Sequence, residues 1–252
     1  MRYFIELKFD GTNYHGWQNQ PDAVSVQEVL EDALGKLLSE SISITGAGRT
    51  DAGVHSLQMF AHFESKDLLD KENLLYRLNS FLPYDIAINS IRTVGDDAHA
   101  RFDAASRSYI YKIHQKKNPF LKNRSYYLHQ DLDVETMNKA GDILLQYKDF
   151  ECFSKTNTDV KTFICDISKA HWTKKDESLE FVITADRFLR NMVRAIVGTM
   201  IDIGLHKIQL DDLHCIIESK NRSKAGYSVP AHGLYLSEVV YPEGIFINEK
   251  HS

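Results

Sequence analysis

One order of strand-like and helix-like segments occurs twice along the 252 residues of this chain. Near the start, apolar side chains alternate with polar ones in the two-residue period of a strand with one buried face: Tyr3, Ile5, Leu7 and Phe9. A helix-period segment, two strand-like segments, another helix-period segment and a final strand-like segment follow. The first half is therefore predicted to have the order β-α-β-β-α-β.

The first helix begins at a recognisable N-terminal signal. Ser25-Val26-Gln27-Glu28 has the spacing of a capping box, and apolar residues then recur on one helical face as far as Leu38. A glycine-rich connection at 46–53 separates the next two strands. The remaining segments are predicted as strands over 42–45, 57–63 and 86–94 and a helix over 74–81.

The second half repeats this order with one additional helix. We expect strands over 106–114, 163–172, 179–185 and 234–241, and helices over 133–146, 187–203 and 210–219. This pattern predicts an α+β protein made of two RRM-like or ferredoxin-like halves, each with an antiparallel sheet covered by helices on one side. The expected lobes are residues 1–104 and 105–252, meeting at a central cleft that binds RNA. Ligands favour such clefts.

Composition excludes several classes of protein. The chain is 43% hydrophobic and 26% charged, as ordinary globular proteins are. Its most apolar stretch, 196–203, is too short to cross a bilayer, so we expect a cytoplasmic protein with no membrane partner. The three cysteines are widely spaced, and the eleven histidines lack the helical spacing of a metalloprotease. Neither a disulfide framework nor a metal site is expected.

Charge is distributed unevenly. The formal net charge is -5, which argues against a uniformly basic nucleic-acid binder. Between Arg101 and Arg124, however, seven lysine and arginine side chains accompany a single acid, Asp103. A basic face on an acidic molecule is predicted there.

The connection between two strands, Gly46 to His55, concentrates small residues around Arg49 and Asp51. Glycines allow the backbone to approach a ligand closely, and the flanking strands would hold the Asp51 carboxylate on a short, anchored loop. Two other interpretations stay open on these residues alone. The segment could be a tight turn in which Asp51 binds local amides. It could also cradle a phosphate, although the P-loop lysine and the Rossmann glycine spacing are missing.

The strand at 106–114 carries two tyrosines, Tyr109 and Tyr111, on one predicted face, with Arg107 in line with them. Such aromatic side chains could stack nucleobases, at about 1–3 kcal/mol for each base. Tyrosines in strands are also common as ordinary core or sheet-face residues. The segment alone does not choose between the two.

A third cluster combines apolar and basic residues. On a helix starting near residue 187, Arg187, Arg190 and Arg194 would share one face at three- and four-residue spacing. Such a stripe is usually a solvated surface. In a cleft, Arg194 could instead pair with a buried acid and keep that acid ionised.

Taken together, the motifs resemble those of TruA-type tRNA pseudouridine synthases. The loop 47–55 looks like the family's central signature, and the other similar motifs occur in the same order along nearly the whole chain. They are Asp10-Gly11-Thr12-Asn13-Tyr14-His15-Gly16-Trp17-Gln18, Ser25-Val26-Gln27, His99-Ala100-Arg101-Phe102, Arg107-Ser108-Tyr109-Ile110-Tyr111, Met192-Val193-Arg194-Ala195-Ile196-Val197-Gly198 and Gly233-Leu234-Tyr235-Leu236. Gln58 and Met59 depart from the pattern, because family members commonly have Gly-Gln there.

The resemblance implies a homodimer that converts uridine to pseudouridine in the anticodon stem-loop of tRNA, at tRNA positions 38–40. It implies no cofactor, no nucleotide and no metal. Asp51 matches the catalytic aspartate, Arg49 the base-flipping arginine, Tyr109 the active-site tyrosine and Arg194 the basic partner of the aspartate. Asp51 could act as nucleophile or as base. The expected RNA-binding residues are Arg49, Tyr109, His99, Ala100, Arg101, Phe102, Arg107, Arg187 and Arg190.

A protein from another class is the main alternative. Two RRM-like units without catalytic activity would show the same order of strands and helices. An RRM, however, carries a basic-glycine-aromatic run on a central strand, and Arg107-Ser108-Tyr109 lacks the glycine. A weaker alternative is a nucleotide-binding enzyme that uses Gly46-Ala47-Gly48.

Overall fold

The computed structural model describes residues 1–66, 68, 70–156 and 160–247. The strands within these ranges are β1 Arg2–Phe9, β2 Ile44–Gly46, β3 His55–Glu64, β4 Ile86–Val94, β5 Ser106–His114, β6 Tyr126–Tyr127, β7 Ile167–Lys175, β8 Ser178–Ala185 and β9 Leu234–Val240. The helices are α1 Val26–Leu38, α2 Lys71–Phe81, α3 Val134–Leu144, α4 Met192–Gly204 and α5 Asp212–Glu218. The predicted α+β class is confirmed.

The chain divides into two compact units, and the first comprises the residues up to Ala105 and those from Leu236 onward. Its sheet has the order β4-β1-β3, with β2 paired to β3, and all of these pairs are antiparallel. The order β-α-β-β-α-β predicted for the first half is confirmed. Strand β1 lies inside the sheet, and Ile5 faces Ala61 on one side and Ile91 on the other.

Local sequence explains the first unit's elements. Tyr3, Ile5 and Leu7 are almost completely buried, as the alternation along β1 predicts. Helix α1 begins where expected, because Ser25 is its N-cap and accepts a hydrogen bond from the Glu28 amide. Full burial of a large apolar side chain stabilises the fold by about 1.5–3 kcal/mol.

The C-terminal segment differs from the expected lobe 105–252. The chain from Leu236 onward lies in the first unit. Its Tyr241 ring packs against Phe4 and Phe60, with ring centroids 5.2 and 5.3 Å apart, and Phe246 packs 5.9 Å from Phe4. These aromatic contacts are long-range in sequence, so no local pattern indicated them.

The second unit, Ser106–Tyr235, contains the antiparallel order β5-β8-β7, and β6 pairs in parallel with β5. Trp172 and Phe181 are stacked at 4.9 Å in its core, and the Trp172 Nε1 contacts the Met200 sulfur of α4. Helix α3 approaches β7 closely at Gly141, where a Cβ atom would lie 2.3 Å from the Ala170 carbonyl oxygen.

The predicted helix over 187–203 is wrong at its start. Helix α4 begins at Met192, because Asn191 at its N-cap has a φ of 66°, in the left-handed region. Residues 187–190 therefore precede the helix. Strand β7 also begins at Ile167 rather than near 163. Within the described ranges, no helix has the length and apolar character needed to cross a membrane.

Candidate functional site

The loop that carries Asp51 connects β2 to β3 and is fixed by backbone hydrogen bonds. The Trp17 amide donates to the Thr50 carbonyl at 3.3 Å, and the Gly53 amide donates to the Tyr14 carbonyl at 3.2 Å. The Val54 amide closes the turn by donating to the Asp51 carbonyl at 3.2 Å. Asp51 is half-buried, whereas Arg49 is exposed. The loop therefore holds an acid at a defined place beside an accessible guanidinium.

Two glycines allow the segment 10–18 to pack on this loop. A Cβ atom on Gly11 would lie 2.0 Å from the Val54 carbonyl oxygen, and one on Gly16 would lie 2.3 Å from that of Thr50. Gly16 also has a φ of 91°, a backbone angle that residues with a side chain rarely adopt. Gly48 has open space where its Cβ would be. Close backbone approach is therefore needed at Gly11 and Gly16 but not at Gly48.

A buried histidine supports the same packing. His55 is 2% exposed, and its Nδ1 accepts a hydrogen bond from the Gly11 amide at 3.0 Å. Asp10 Oδ1 lies 3.1 Å from this nitrogen. The start of β3 therefore contacts two consecutive residues of the segment 10–18. Asp10 also accepts from the Thr12 amide and hydroxyl.

The segment His99-Ala100-Arg101-Phe102 forms a turn around two histidine rings. His99 Nδ1 accepts from the amides of Arg101 and Phe102, and His62 Nδ1 accepts from the Ala100 amide at 3.1 Å. Burial, helped by the neighbouring His99 and Arg2, lowers the pKa of His62 to about 4. The neutral rings hold the turn, and the Phe102 side chain projects with 74% exposure.

The beginning of β5 places Tyr109 and Arg107 near the segment before α4. Tyr109 packs edge-to-face on Phe188 with ring centroids 5.1 Å apart, and Arg107 donates to the Asp186 carbonyl at 2.8 Å. Tyr111 is fully buried, donates to the Pro230 carbonyl at 2.9 Å, and has a pKa raised by burial. Tyr111 is therefore a core residue, while the half-buried Tyr109 is partly accessible.

Arg194 lies in the first turn of α4 and is held by the segment 225–229. Its Nε donates to the Val229 carbonyl at 2.7 Å, and the Val229 amide donates back to the Arg194 carbonyl at 3.2 Å. A Cβ atom on Gly198 would lie 1.8 Å from the Tyr227 carbonyl oxygen, so this segment touches the helix backbone. The segment 225–229 thus fixes the direction of the Arg194 side chain.

Arg187 and Arg190 do not share a helical face with Arg194, so the predicted three-arginine stripe is wrong. Both precede α4, since the left-handed Asn191 separates them from the helix. Arg187 donates to the Thr162 carbonyl at 3.3 Å, and the exposed Arg190 accepts a hydrogen bond at its carbonyl from the Lys155 amide. Arg187 directly follows Asp186, whose carbonyl accepts the hydrogen bond from Arg107.

Sequence reasoning missed several residues that position these side chains. Phe188 contacts Tyr109, Val229 fixes Arg194, and His62 holds the Ala100 turn. Gly226 and Pro230 are the only local sequence signal for the segment in which Val229 contacts Arg194. Gln58, one of the departures from the family pattern, bridges Glu6 and the Val239 amide, and Met59 is buried. Both therefore stabilise the sheet.

Residue types that usually bind metal ions do not cluster in the described part of the chain. Across residues 1–66, 68, 70–156 and 160–247, no group of three or more histidine, cysteine, aspartate or glutamate side chains is placed to hold a metal ion. Cys152 and Cys165 are buried, and burial raises the pKa of each thiol to about 12. These two thiols are poor nucleophiles at neutral pH.

Comparison with known proteins gives a consistent set of relatives. A family model described as tRNA pseudouridine synthase matches residues 7–103 and 147–242, which include the Asp51 loop and α4 but not β5. A protein of Bacteroides thetaiotaomicron named tRNA pseudouridine synthase A is 51% identical over 98% of this chain and 93% of its own length. Proteins with the same name from Bacteroides fragilis and Porphyromonas gingivalis are 51% and 48% identical, over 97% and 98% of this chain and 98% and 99% of their own lengths.

Proposed function

The chain belongs to the tRNA pseudouridine synthase family, and from this premise we propose that it isomerises uridines in the anticodon stem-loop of tRNA with Asp51 as catalytic carboxylate. Its reaction class follows from the family: the protein is an isomerase that converts uridine in tRNA to pseudouridine. The target positions 38–40 and the role of Asp51 rest on the sequence motifs and on the local geometry of the Asp51 loop.

The chemistry explains why one carboxylate and no redox group would suffice. The reaction breaks the bond between ribose C1′ and uracil N1 and joins C5 to C1′, while N1 gains a proton and C5 loses one. No atom is oxidised. A carboxylate such as that of Asp51 can assist as a nucleophile, by covalent attack, or as a base, by removing a proton from the sugar.

The observation that carries the proposal is the fixed, half-buried carboxylate of Asp51. Three backbone hydrogen bonds and the close approach of Gly11 and Gly16 hold its loop. Catalysis depends on such positioning, because a well-oriented group replaces an encounter between separate molecules.

Arg194 is proposed as the charge partner of Asp51. A carboxylate that loses its water on substrate binding tends to hold a proton, and a nearby guanidinium favours the ionised form. The Val229 carbonyl fixes the Nε end of the Arg194 side chain, which supports a positioned charge rather than a mobile surface arginine. This pairing would keep Asp51 ionised at neutral pH.

Arg49 and Tyr109 are proposed to handle the target nucleotide. Extruding a stacked uridine costs a few kcal/mol, which new contacts must offset. Arg49 is exposed two residues before Asp51 and would occupy the vacated space. Tyr109 is braced by Phe188 and would stack on the extruded uracil.

The rest of the proposal concerns RNA binding and assembly. Basic residues would hold tRNA phosphates, so affinity should fall steeply with salt. We also propose a homodimer, a cytoplasmic location and RRM-like halves that meet at the RNA-binding cleft, as the motifs imply. The candidate RNA contacts outside the Asp51 loop are His99, Ala100, Arg101, Phe102, Arg107, Tyr109, Arg187 and Arg190.

The test is Asp51→Asn, which keeps the shape of the side chain and removes its charge. We expect tritium release from tRNA labelled at uracil C5 to fall by at least about a thousandfold, because the carboxylate acts at the reacting sugar. Affinity for tRNA should stay close to that of the original chain. Mapping pseudouridines in the product would identify the modified positions.

The matched control is Asp32→Asn, the same change on an exposed carboxylate of α1 that pairs with Lys36. This variant should keep full turnover. Turnover retained by Asp51→Asn would refute the catalytic role. An original chain that binds tRNA but releases no tritium would instead favour the non-catalytic RNA-binding protein.

A further inference from the structure

The connection from β5 to β6, residues 115–125 and here called the basic loop, presents an exposed phenylalanine. The Phe120 side chain is 84% exposed, although Phe is a residue type that proteins usually bury. Sequence on both sides is basic: no acid occurs from Ser106 to His129, in a chain whose net charge is -5. The loop therefore combines an accessible aromatic ring with a stretch of sequence whose charged side chains are all basic.

Hydrogen bonds fix the backbone of the basic loop at several points. Asn118 caps a single 3₁₀ turn at Pro119–Leu121, and its side chain accepts from the Phe120 amide at 3.0 Å. The Arg124 amide donates to the Leu121 carbonyl at 3.0 Å, and the Tyr235 hydroxyl donates to the Arg124 carbonyl at 2.6 Å. A loop whose backbone is already fixed loses less conformational entropy when it binds a ligand.

The lysines of the basic loop differ in their partners. Lys116 forms an ion pair with Glu177. Lys117 and Lys122 are exposed, and neither forms an ion pair with any residue in the part of the chain that the structure describes. These two ammonium groups flank Phe120 in sequence. They are therefore available to an anionic partner that also touches the ring.

The position of the basic loop separates it from Tyr109. The Tyr235 ring lies 4.6 Å from the Lys112 ammonium, and its hydroxyl binds the end of the loop. Lys112 follows Tyr109 by three residues on β5, which is about 10 Å along a strand. The basic loop would therefore contact a different nucleotide from the one that Tyr109 contacts.

We propose that the basic loop is a second RNA-binding element, in which Phe120 stacks on an unpaired base of the tRNA and Lys117 and Lys122 hold the neighbouring phosphates. This inference rests on the proposed function and adds a contact away from the reacting uridine. Stacking on an aromatic ring beside basic groups is a common way to hold unpaired nucleotides, and it tolerates any base.

An RNA partner fits the basic loop better than a protein or a membrane does. The core of a protein interface is depleted in charged residues, especially lysine, whereas Phe120 has lysines on both sides. Membrane-surface binding needs a broad apolar face, and Leu121 beside Phe120 is half-buried. A ring with lysine neighbours matches the alternating bases and phosphates of RNA.

The first experiment measures tRNA affinity and the KM and kcat of Phe120→Ala. We expect Kd and KM to rise about 5- to 150-fold, which corresponds to the 1–3 kcal/mol of one stacked base, and kcat to stay unchanged. Phe120→Trp should restore affinity to within about threefold, because indole also stacks. The double change Lys117→Gln and Lys122→Gln should lower the slope of log affinity against log salt by about one to two.

The control is Tyr84→Ala, which removes another exposed aromatic side chain, in the first unit. This variant should bind tRNA like the original chain. Unchanged affinity in Phe120→Ala, while the original chain makes pseudouridine and Asp51→Asn does not, would overturn the inference and leave the proposed function intact. A change in sedimentation with unchanged tRNA affinity would identify a second protein copy as the partner and also overturn it.

Discussion

The two units hold their candidate site residues with different hydrogen-bond partners. In the first unit, the rings of His62 and His99 accept from the amides of Ala100 and Arg101, and backbone bonds fix the Asp51 loop. In the second unit, side chains donate instead: Asn191 to the Ser228 hydroxyl and Arg194 to the Val229 carbonyl. Acid should therefore loosen the 99–102 turn of the first unit, because an imidazole nitrogen that gains a proton can no longer accept a hydrogen bond.

One feature is common to both units. In each unit a carbonyl oxygen packs directly against a glycine. It is the oxygen of Val54 against Gly11 in the first unit and that of Tyr227 against Gly198 in the second. These contacts are too close for any side chain. The two units thus share a close backbone contact at a glycine. They differ in which groups make the hydrogen bonds that hold the site residues.

The largest expected effect concerns this shared packing. Gly11→Ala and Gly198→Ala would place Cβ 2.0 and 1.8 Å from carbonyl oxygens. Because backbone must move in both, we expect each to lower the free energy of unfolding by about 3 kcal/mol or more. Urea denaturation measures this, with Gly48→Ala as the control, which should change stability by less than about 0.5 kcal/mol. A harmless Gly198→Ala would show that the 225–229 segment does not hold α4.

The next effect tests the difference between the units by pH. The pKa of His62 is about 4 in the folded protein and about 6.5 in an unfolded chain. Between these values the unfolded chain binds a proton that the folded protein does not, so stability is full above pH 6.5 and falls as the pH drops toward 4. Allowing for solvent screening, we expect His62 to account for roughly 2 kcal/mol of this loss.

Denaturant midpoints of the original chain and of His62→Gln, measured from pH 7 to 4, isolate this contribution. His99 and His114 also have a lowered pKa, so the difference between the two curves is the relevant quantity. Parallel curves would mean that His62 is not protonated on unfolding. The histidine acceptors would then not make the first unit more sensitive to acid than the second.

The smallest effect concerns the start of α4. Asn191→Ala should destabilise by about 1–2 kcal/mol, because alanine tolerates the left-handed conformation poorly and loses the 2.6 Å bond to Ser228. Asn191→Gly should cost less than the alanine change, since glycine adopts a positive φ freely. Urea midpoints of the two variants provide the measurement. An equal loss of stability in the two variants would show that Asn191 contributes through its hydrogen bond and not through its backbone conformation.

The sequence alone determined the element types and the central loop. Apolar periodicity and the Ser25 cap depend on neighbours a few residues away, so β1, α1 and β4 lie close to where they were predicted. The Asp51 loop was likewise recognisable from its glycines and its flanking strands. Both are local properties, which a reading of consecutive residues can capture.

Only the tertiary structure decided which distant segments meet. The start of α4 depends on Asn191 and its contact with Ser228, and the C-terminal chain joins the first unit through Tyr241 and Phe246. Such contacts form between residues tens to hundreds of positions apart, so a pattern of neighbouring residues does not contain them. The segments that position Asp51 and Arg194 could not be identified before the chain was folded.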